Sequence, residues 1–424
     1  MDEKQFEQEQ GIVEQKKEKK KKGFRAGVLT GVLGSCVAIV ALFLLLSGLG
    51  VMQISAASGT GSNSVLTDKV VAKLDKLIGQ IDQYYYQDVD ADELANGLYK
   101  GLFEGLDDPY SAYYTKQEYE DLMITTNANY YGIGAGLKQD PDTMEVSITH
   151  IYDDSPAQKA GLQAGDIIVQ VDDITATSME VSDLVTKIRG EEGTTVHLKI
   201  YREGESDYLE YDVERAKVDI PTVQYKMLEN NIGYIQVAEF AENTPEQFDA
   251  AIQDLNGQGM KAMIIDLRDN GGGLLSSCQT MLDEILPEGT VVYTEDKYGN
   301  RQDFTSDAEH SMSLPIALLV NGNSASASEI FAGAIRDFNY GTLIGTKTFG
   351  KGIVQNIKQL SDGSAYKVTV AKYYTPSGDY IHGKGIEPDI ELEYQYSGDK
   401  DADYDQMKDN QVLKAIETLQ SQIQ

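Results

Sequence analysis

Three serines, Ser324, Ser326 and Ser328, alternate with alanine just after the apolar run 315–320, which predicts a buried strand. Apolar residues at helical spacing follow, so a helix is expected to begin near Ser326. A serine at such a corner exposes its hydroxyl beside the free N–H groups of the first helical turn. That arrangement suits a nucleophile next to an oxyanion-binding site, although local chemistry does not choose among the three serines.

A serine nucleophile needs a general base, and Lys351 is the candidate. It opens a predicted strand in which positions 351, 353 and 355 share one face, so Gln355 is placed to orient the lysine amine. Desolvation or neighbouring donors would let that amine lose its proton at working pH, as in known Ser–Lys pairs. The histidines stand outside any recognisable triad motif and are interpreted as ordinary surface or strand residues: His150, His197, His310 and His382.

A glycine-rich loop, Gly132-Ile133-Gly134-Ala135, precedes a predicted strand, and its backbone N–H groups can converge on an anion. With the segments SPA at 155–157 and AGDII at 164–168, it resembles the PDZ fold. PDZ domains add a peptide as a strand while the loop amides hold its carboxylate, and a helix at 181–188 would line the groove. The alternative is that the glycines only form a turn.

The elements around these motifs predict an α/β, multidomain (α+β) protein. Residues 65–126 carry apolar residues at helical spacing, and 127–216 show short alternating strands typical of a β-rich PDZ-like domain. Strands and helices alternate over 217–395, which indicates βαβ-type units, and the tail 396–424 ends in a helix.

The N-terminus predicts a membrane anchor. Residues 16–25 carry seven positive charges and one negative, and the run 26–51 that follows is uncharged. Such a run is long enough to span a bilayer core of about 30 Å. The basic flank before it predicts that the tail 1–25 lies in the cytoplasm and that everything beyond the 52–64 linker lies outside. A cleaved signal peptide, or lipidation of Cys36, is the alternative, and each also exports the rest.

Composition limits the partners. The formal net charge of −32 argues against nucleic acid, because phosphate binding needs clustered lysine and arginine. The sequence shows no zinc-type His/Cys cluster and no phosphate-binding glycine loop, so no metal and no cofactor are expected. Its two cysteines, Cys36 and Cys278, do not form a disulfide framework.

Residues 65–424 resemble the carboxyl-terminal processing peptidases, or tail-specific proteases. The resemblance is carried by SASASEI at 324–330, FGKG at 349–352 and IDLRDNGGG at 265–273, with LDDPYS at 106–111 and YYTPSG at 373–378. It implies that Ser326 is the nucleophile, Lys351 the base and Gln355 the assisting group. It also implies oxyanion amides from Gly272 and Ala327, a peptidase core of the crotonase or ClpP type, and a possible homodimer.

The function expected is therefore a membrane-anchored serine endopeptidase that captures the C-terminal tails of exported proteins and cleaves through an acyl-enzyme. Two alternatives keep the same elements. One is a tethered PDZ adaptor that binds tails without cutting them, and the other is an acyltransferase of the crotonase-like kind.

Overall fold

The computed structural model describes residues 65–307, 309, 311–399 and 402–423. The predicted cytoplasmic tail, membrane span and linker at 1–25, 26–51 and 52–64 lie outside these residues, as does Cys36. Over the range that is described, no helix combines the length and apolar character needed to cross a bilayer.

The chain divides into two units after Val89. The first contains helix α1 (Asp68–Tyr84), which begins where the Thr67 hydroxyl accepts a hydrogen bond from the Val70 N–H. Its apolar residues have the spacing of one helix face, and several of them, including Leu77 and Ile78, are exposed.

The second unit opens with α2 (Ala91–Glu104), β1 (Ala112–Tyr114) and α3 (Lys116–Asn127). Thr115 and Glu118 form a capping box that starts α3. Helices thus occupy most of the segment predicted to be helical. The exception is β1, a short strand whose pairing with a distant strand had no local sequence signal.

The PDZ-like part forms a six-stranded antiparallel sheet, with five strands in the order β3-β4-β5-β7-β8, β6 paired to β5, and β3 at an edge. Strand β7 alternates buried and less buried residues, as a sheet with one covered face requires. A two-stranded ribbon, β2 with β9, joins this part to the core. Its elements are β2 (Asn129–Gly132), β3 (Ala135–Gln139), β4 (Val146–Ile151), α4 (Pro156–Ala160), β5 (Ile167–Val171), β6 (Ile174–Thr175), α5 (Val181–Ile188), β7 (Thr195–Tyr201), β8 (Leu209–Glu214) and β9 (Ala216–Asp219).

The core is built on a six-stranded sheet in the order β10-β11-β12-β15-β16-β19, parallel except for the β10–β11 pair. Strands β12 and β15 are buried along their whole length, which explains their unbroken apolar sequences. The elements up to β15 are β10 (Val223–Leu228), β11 (Ile232–Val237), α6 (Thr244–Gly257), β12 (Ala262–Asp266), α7 (Leu275–Asp283), β13 (Gly289–Asp296), β14 (Arg301–Ser306) and β15 (Ile316–Val320).

The remaining elements complete the core on both faces of that sheet. They are α8 (Ala327–Asp337), β16 (Thr342–Gly345), β17 (Ile353–Gln359), β18 (Ala365–Tyr374), β19 (Ile390–Glu391) and α9 (Asn410–Gln420). Helices α6, α7 and α8 pack on one face, and α9 covers the other. A second sheet, β1-β18-β13-β14 with β17 paired to β18, carries the lysine loop. The architecture is mixed α/β, as predicted. The domain limits at 126/127, 216/217 and 395/396 stay predictions.

Candidate active site

The three serines lie where β15 turns into α8, and they differ in exposure. The side chains of Ser324 and Ser328 are fully buried. The Ser324 hydroxyl donates to the Leu267 carbonyl at 2.7 Å, and the Ser328 hydroxyl donates to the Asn270 carbonyl at 2.9 Å. Ser326 is partly exposed and lines a cleft of about 260 Å³. The flanking serines therefore brace the turn, while the middle one is open to a reactant.

Ser326 holds an unusual backbone conformation, with φ 55° and ψ −114°. A residue with a side chain in such a region costs on the order of 1–3 kcal/mol, which the surrounding contacts must offset. Ala327 follows as the first residue of α8, so its N–H belongs to the free donors at the helix start. The serine thus sits at a sharp strand-to-helix corner, as its sequence predicts.

Glu329 ties this corner to the lysine loop. Its side chain is fully buried. One carboxylate oxygen accepts hydrogen bonds from the Thr348 hydroxyl at 2.6 Å and the Gly350 N–H at 2.7 Å. The other accepts from the Ser326 N–H at 3.0 Å and the Lys351 N–H at 2.7 Å. Four donors satisfy the buried charge, and they fix the two loops relative to each other. This role of Glu329 was not predicted from the sequence, although the residue stands three positions after Ser326, at capping-box spacing.

Lys351 is half-buried and lines the same cleft as Ser326. Burial and the like charge of Lys367 lower the pKa of its amine, against the opposing influence of Asp108 and Glu329. Nζ makes no hydrogen bond or ion pair to any described residue, and it lies 4.6 Å from the centre of the Tyr110 ring. Burial and Lys367 therefore favour loss of the proton from this amine, as a general base requires.

Two further side chains hold the backbone of the lysine loop. The buried Tyr373 hydroxyl lies 3.0 Å from the Ser326 carbonyl oxygen and 2.6 Å from that of Lys351. Nδ1 of His382 accepts a hydrogen bond from the Gly352 N–H at 3.3 Å. His382 is thus bonded to the backbone of this loop, and it lies partly buried in a turn instead of in a strand.

Gln355 also lines the cleft, but its contacts differ from the expected ones. Its side-chain amide donates to the Thr369 hydroxyl at 3.4 Å and to the Ile353 carbonyl at 3.5 Å. The pairing of β17 with β18 shifts register between Val354 and Gln355, so side chains 354 and 355 both reach the cleft. A bulge of this kind interrupts the strict alternation assumed from the sequence.

The glycine turn after β12 packs directly on the serine corner. A side chain at Gly272 would place its Cβ 2.7 Å from the Ala325 carbonyl oxygen and 2.8 Å from Cβ of Ser326, and φ is +106°. The Gly272 N–H donates to the Asn270 side chain at 2.8 Å. The predicted oxyanion pair is thus adjacent in space, but in this state the Gly272 amide already has an acceptor.

The cleft is mainly apolar, and helix α3 forms one wall. Within the described stretches, no group of three or more His, Cys, Asp or Glu side chains is arranged to hold a metal ion. The α3 and turn residues that line the cleft are Leu122, Thr125, Thr126, Gly271, Gly273 and Leu274.

A second cleft, of about 750 Å³, lies between the edge strand β3 and helix α5 in the PDZ-like part. The glycine loop stands at its end, with Gly132, Ile133 and Gly134 buried and Ala135 partly exposed. Gly134 has φ +77°, and a Cβ there would lie 2.4 Å from Cβ of Ser155. An edge strand, an apolar helix face and a glycine loop are the parts needed to add a peptide as a strand.

Comparison with known proteins agrees with both parts of the structure. Residues 231–392 match the model of peptidase family S41, residues 147–202 match the PDZ domain, and residues 49–118 match the N-terminal domain of the activating protease CtpB. The carboxy-terminal processing protease CtpA of Bacillus subtilis is 37% identical over 79% of this chain and 73% of its own length. The chain belongs to the carboxy-terminal processing proteases.

Carboxy-terminal processing protease CtpB of the same organism is 32% identical over 80% of this chain and 71% of its own length. A solved structure, the photosystem II D1 C-terminal processing protease, is 29% identical, covers 75% of this chain and 86% of its own, and has a TM-score of 0.44. As a carboxy-terminal processing protease, this chain is a serine-type peptidase with a PDZ domain. The adaptor and acyltransferase alternatives are thereby set aside.

Proposed function

We propose that this protease hydrolyses peptide bonds through an acyl-enzyme on Ser326, with Lys351 as the general base. The observation that carries the proposal is the contrast among the three serines. Ser326 opens into the cleft that Lys351 lines, whereas Ser324 and Ser328 are buried and bonded to backbone carbonyls. A lowered lysine pKa supports the choice of base.

In the proposed reaction, neutral Lys351 takes the Ser326 proton as the oxygen attacks the scissile carbonyl. The Ala327 N–H, at the start of α8, stabilises the oxyanion, and Gly272 joins it once its N–H leaves the Asn270 side chain. The lysine then protonates the leaving amine. Water attacks the acyl-enzyme in the same way, with Lys351 again as the base, and Ser326 is released. Gln355 assists by turning from Thr369 toward the lysine amine.

The proposed reaction therefore requires three contacts to change between this structure and the substrate complex. They involve the Lys351 amine, the Gln355 amide and the Gly272 N–H. Catalytic hydrogen bonds often form only in the substrate complex, so their absence here is compatible with the proposed roles.

The test is cleavage of an unstructured protein such as casein by the full chain in detergent micelles. Ser326→Ala and Lys351→Ala are expected to abolish cleavage, whereas the exposed residues Ser361 and Lys358, changed to alanine, are expected to leave the rate unchanged. Acid-quenched reactions with a peptide ester are expected to show the added acyl mass on the peptide that contains Ser326. Full activity in Lys351→Ala would remove the lysine from the mechanism.

We further propose that the PDZ cleft selects protein substrates by their C-terminal tails, with the amides of Ile133, Gly134 and Ala135 receiving the carboxylate. The edge position of β3 and the glycine loop support this proposal. A fluorescent peptide with a free C-terminus is expected to bind the Ser326→Ala protein, and the same peptide with a C-terminal amide is expected to bind at least about tenfold more weakly, because a charged hydrogen-bond group is lost. Equal affinities would contradict carboxylate recognition.

The proposal also includes a membrane anchor at 26–51 and a catalytic part outside the cytoplasm. It further includes a core of the crotonase or ClpP type and a homodimer. The charge pattern of 16–51 supports the anchor, and the exposed apolar faces of the N-terminal helices support self-association. Protease added to intact spheroplasts is expected to digest the catalytic part and spare an N-terminal tag. Digestion of the tag before the catalytic part would show that the protein has the opposite orientation in the membrane.

A further inference from the structure

The loop between α2 and β1 reaches the catalytic lysine from a part of the chain far away in sequence. Asp108 shapes this loop by accepting hydrogen bonds from the Tyr110 N–H at 3.0 Å and the Ser111 hydroxyl at 2.6 Å. The Ser111 hydroxyl in turn accepts from the Thr369 N–H at 3.0 Å. The loop is therefore fixed to β18, the strand paired with the lysine strand β17.

This anchoring places the Tyr110 ring against the end of Lys351. Nζ lies 4.6 Å from the ring centre, well within the distance at which a cation is attracted to an aromatic face. Both side chains are half-buried, so water screens the attraction only in part. Nζ has no hydrogen bond or ion pair within the described part of the chain, so no such bond competes with the ring for the amine.

We propose that Tyr110 is a positioning residue for Lys351, whose ring holds the protonated amine in the resting enzyme and releases it when the amine turns to Ser326. The proposal rests on the proposed role of Lys351 as the base. It adds a residue from the N-terminal helical region to the control of the catalytic step. The attraction exists only while the amine is charged, so the ring stabilises the inactive protonation state.

Charged side chains on the elements packed around the Lys351 amine also influence its protonation. Lys367 on β18 disfavours the charged amine, and Asp108 on the loop and Glu329 on α8 favour it. The nearby Tyr373 phenol stays neutral, because burial raises its pKa well above the ordinary value. Tyr110 therefore acts in the same direction as the two carboxylates, and against burial and Lys367.

The test is the pH dependence of kcat/KM, whose acid limb reports the ionisation of the base in the free enzyme. Tyr110→Leu removes the aromatic face, so the amine loses its proton more easily. We expect the acid limb to move to lower pH by about half a unit to one unit. Tyr110→Phe keeps the aromatic face and is expected to keep the acid limb of the unchanged enzyme.

A series of fluorinated phenylalanines at position 110 keeps the ring shape and weakens the negative face stepwise. The pH of the acid limb is expected to decrease with each added fluorine. This series therefore tests the proposal even if Tyr110→Leu does not fold. A lower kcat with an unmoved limb across the series would show a purely structural role and overturn the proposal. Full activity in Lys351→Ala would instead reject the proposed base, so the two failures are distinguishable.

Discussion

At the scale of single residues, the corner that holds Ser326 depends on one buried carboxylate. Glu329 receives N–H donors from both the serine turn and the lysine loop, in addition to the Thr348 hydroxyl. Without it, Ser326 would lose a contact that offsets its strained backbone, and Lys351 would lose its fixed position relative to the serine. The carboxylate thus couples the serine turn and the lysine loop, which are attached to different sheets.

Glu329→Gln is expected to lower both stability and activity. One oxygen becomes an NH₂ group, which must face at least one backbone N–H that has no other acceptor. A buried donor left without a partner costs about 1–3 kcal/mol. Urea unfolding and casein cleavage measure the two effects, with the exposed Glu288→Gln as control. Unchanged stability and rate would show that the four hydrogen bonds are dispensable.

The lowered pKa of Lys351 also has a consequence for stability. The folded protein releases this proton at a lower pH than the unfolded chain, whose lysine keeps its usual value near 10.5. Between the two pKa values the unfolded chain binds more protons, so this group makes the folded state more stable as pH rises. Below that window the buried ammonium destabilises the fold in full.

Lys351→Met is accordingly expected to be more stable than the unchanged protein near neutral pH, with an advantage that shrinks as pH approaches 10.5. Urea unfolding of both proteins at several pH values gives the difference in free energy of unfolding. Lys358→Met, at an exposed position, is the control and is expected to show no such trend. An advantage for Lys351→Met that stays constant with pH would contradict the lowered pKa.

At the scale of elements, the sequence was most informative where the local pattern is strong. The strand before Ser326 and the helix after it were predictable, because a continuous apolar run and helical spacing determine them. Strand β1 was not, since its three residues are stabilised by pairing with β18, more than 250 positions away. The bulge at Gln355 and the bonds of Glu329 also depend on loops that meet only in the fold.

The glycine turn after β12 gives a prediction at this scale. Gly272→Ala is expected to reduce cleavage by at least about a hundredfold, because its Cβ collides with the serine corner at a positive φ. Gly271→Ala is the matched control, since Gly271 has no atom within 4 Å of an added Cβ. Casein cleavage by the two variants, after a check of thermal unfolding, decides the matter. Equal rates would show that the turn does not hold the corner.

At the scale of the whole molecule, both clefts belong to the second unit, and α3 lies between them. Leu122, Thr125 and Thr126 on α3 line the active-site cleft, whereas Asp121 lines the PDZ cleft. Asp121 pairs with Arg189 at 3.4 Å, and that guanidinium lies over the Tyr130 ring. A tail bound in the PDZ cleft would therefore contact residues one turn or less from those that line the cleft beside Ser326.

This arrangement predicts that the PDZ domain governs the rate of cleavage as well as the choice of substrate. The two ends of the PDZ part are joined by the β2–β9 ribbon, in which Gly132 pairs directly with Ala216. Residues 133–215 can therefore be replaced by a short glycine-serine turn that closes the ribbon without moving its strands. Control by population shift needs an occupant that favours one state of the active site over the other.

The shortened protein is expected to keep the thermal unfolding of the core, to cleave casein at a rate that differs from that of the intact chain, and to lose any stimulation by added C-terminal peptides. Asp121→Ala in the intact chain is expected to reduce that stimulation while leaving peptide affinity nearly unchanged, because an exposed ion pair contributes only about 0–1 kcal/mol. Peptide titrations followed by fluorescence and by cleavage rate separate the two quantities. A folded, shortened protein with the rate and substrate choice of the intact chain would leave the PDZ domain without a role in control.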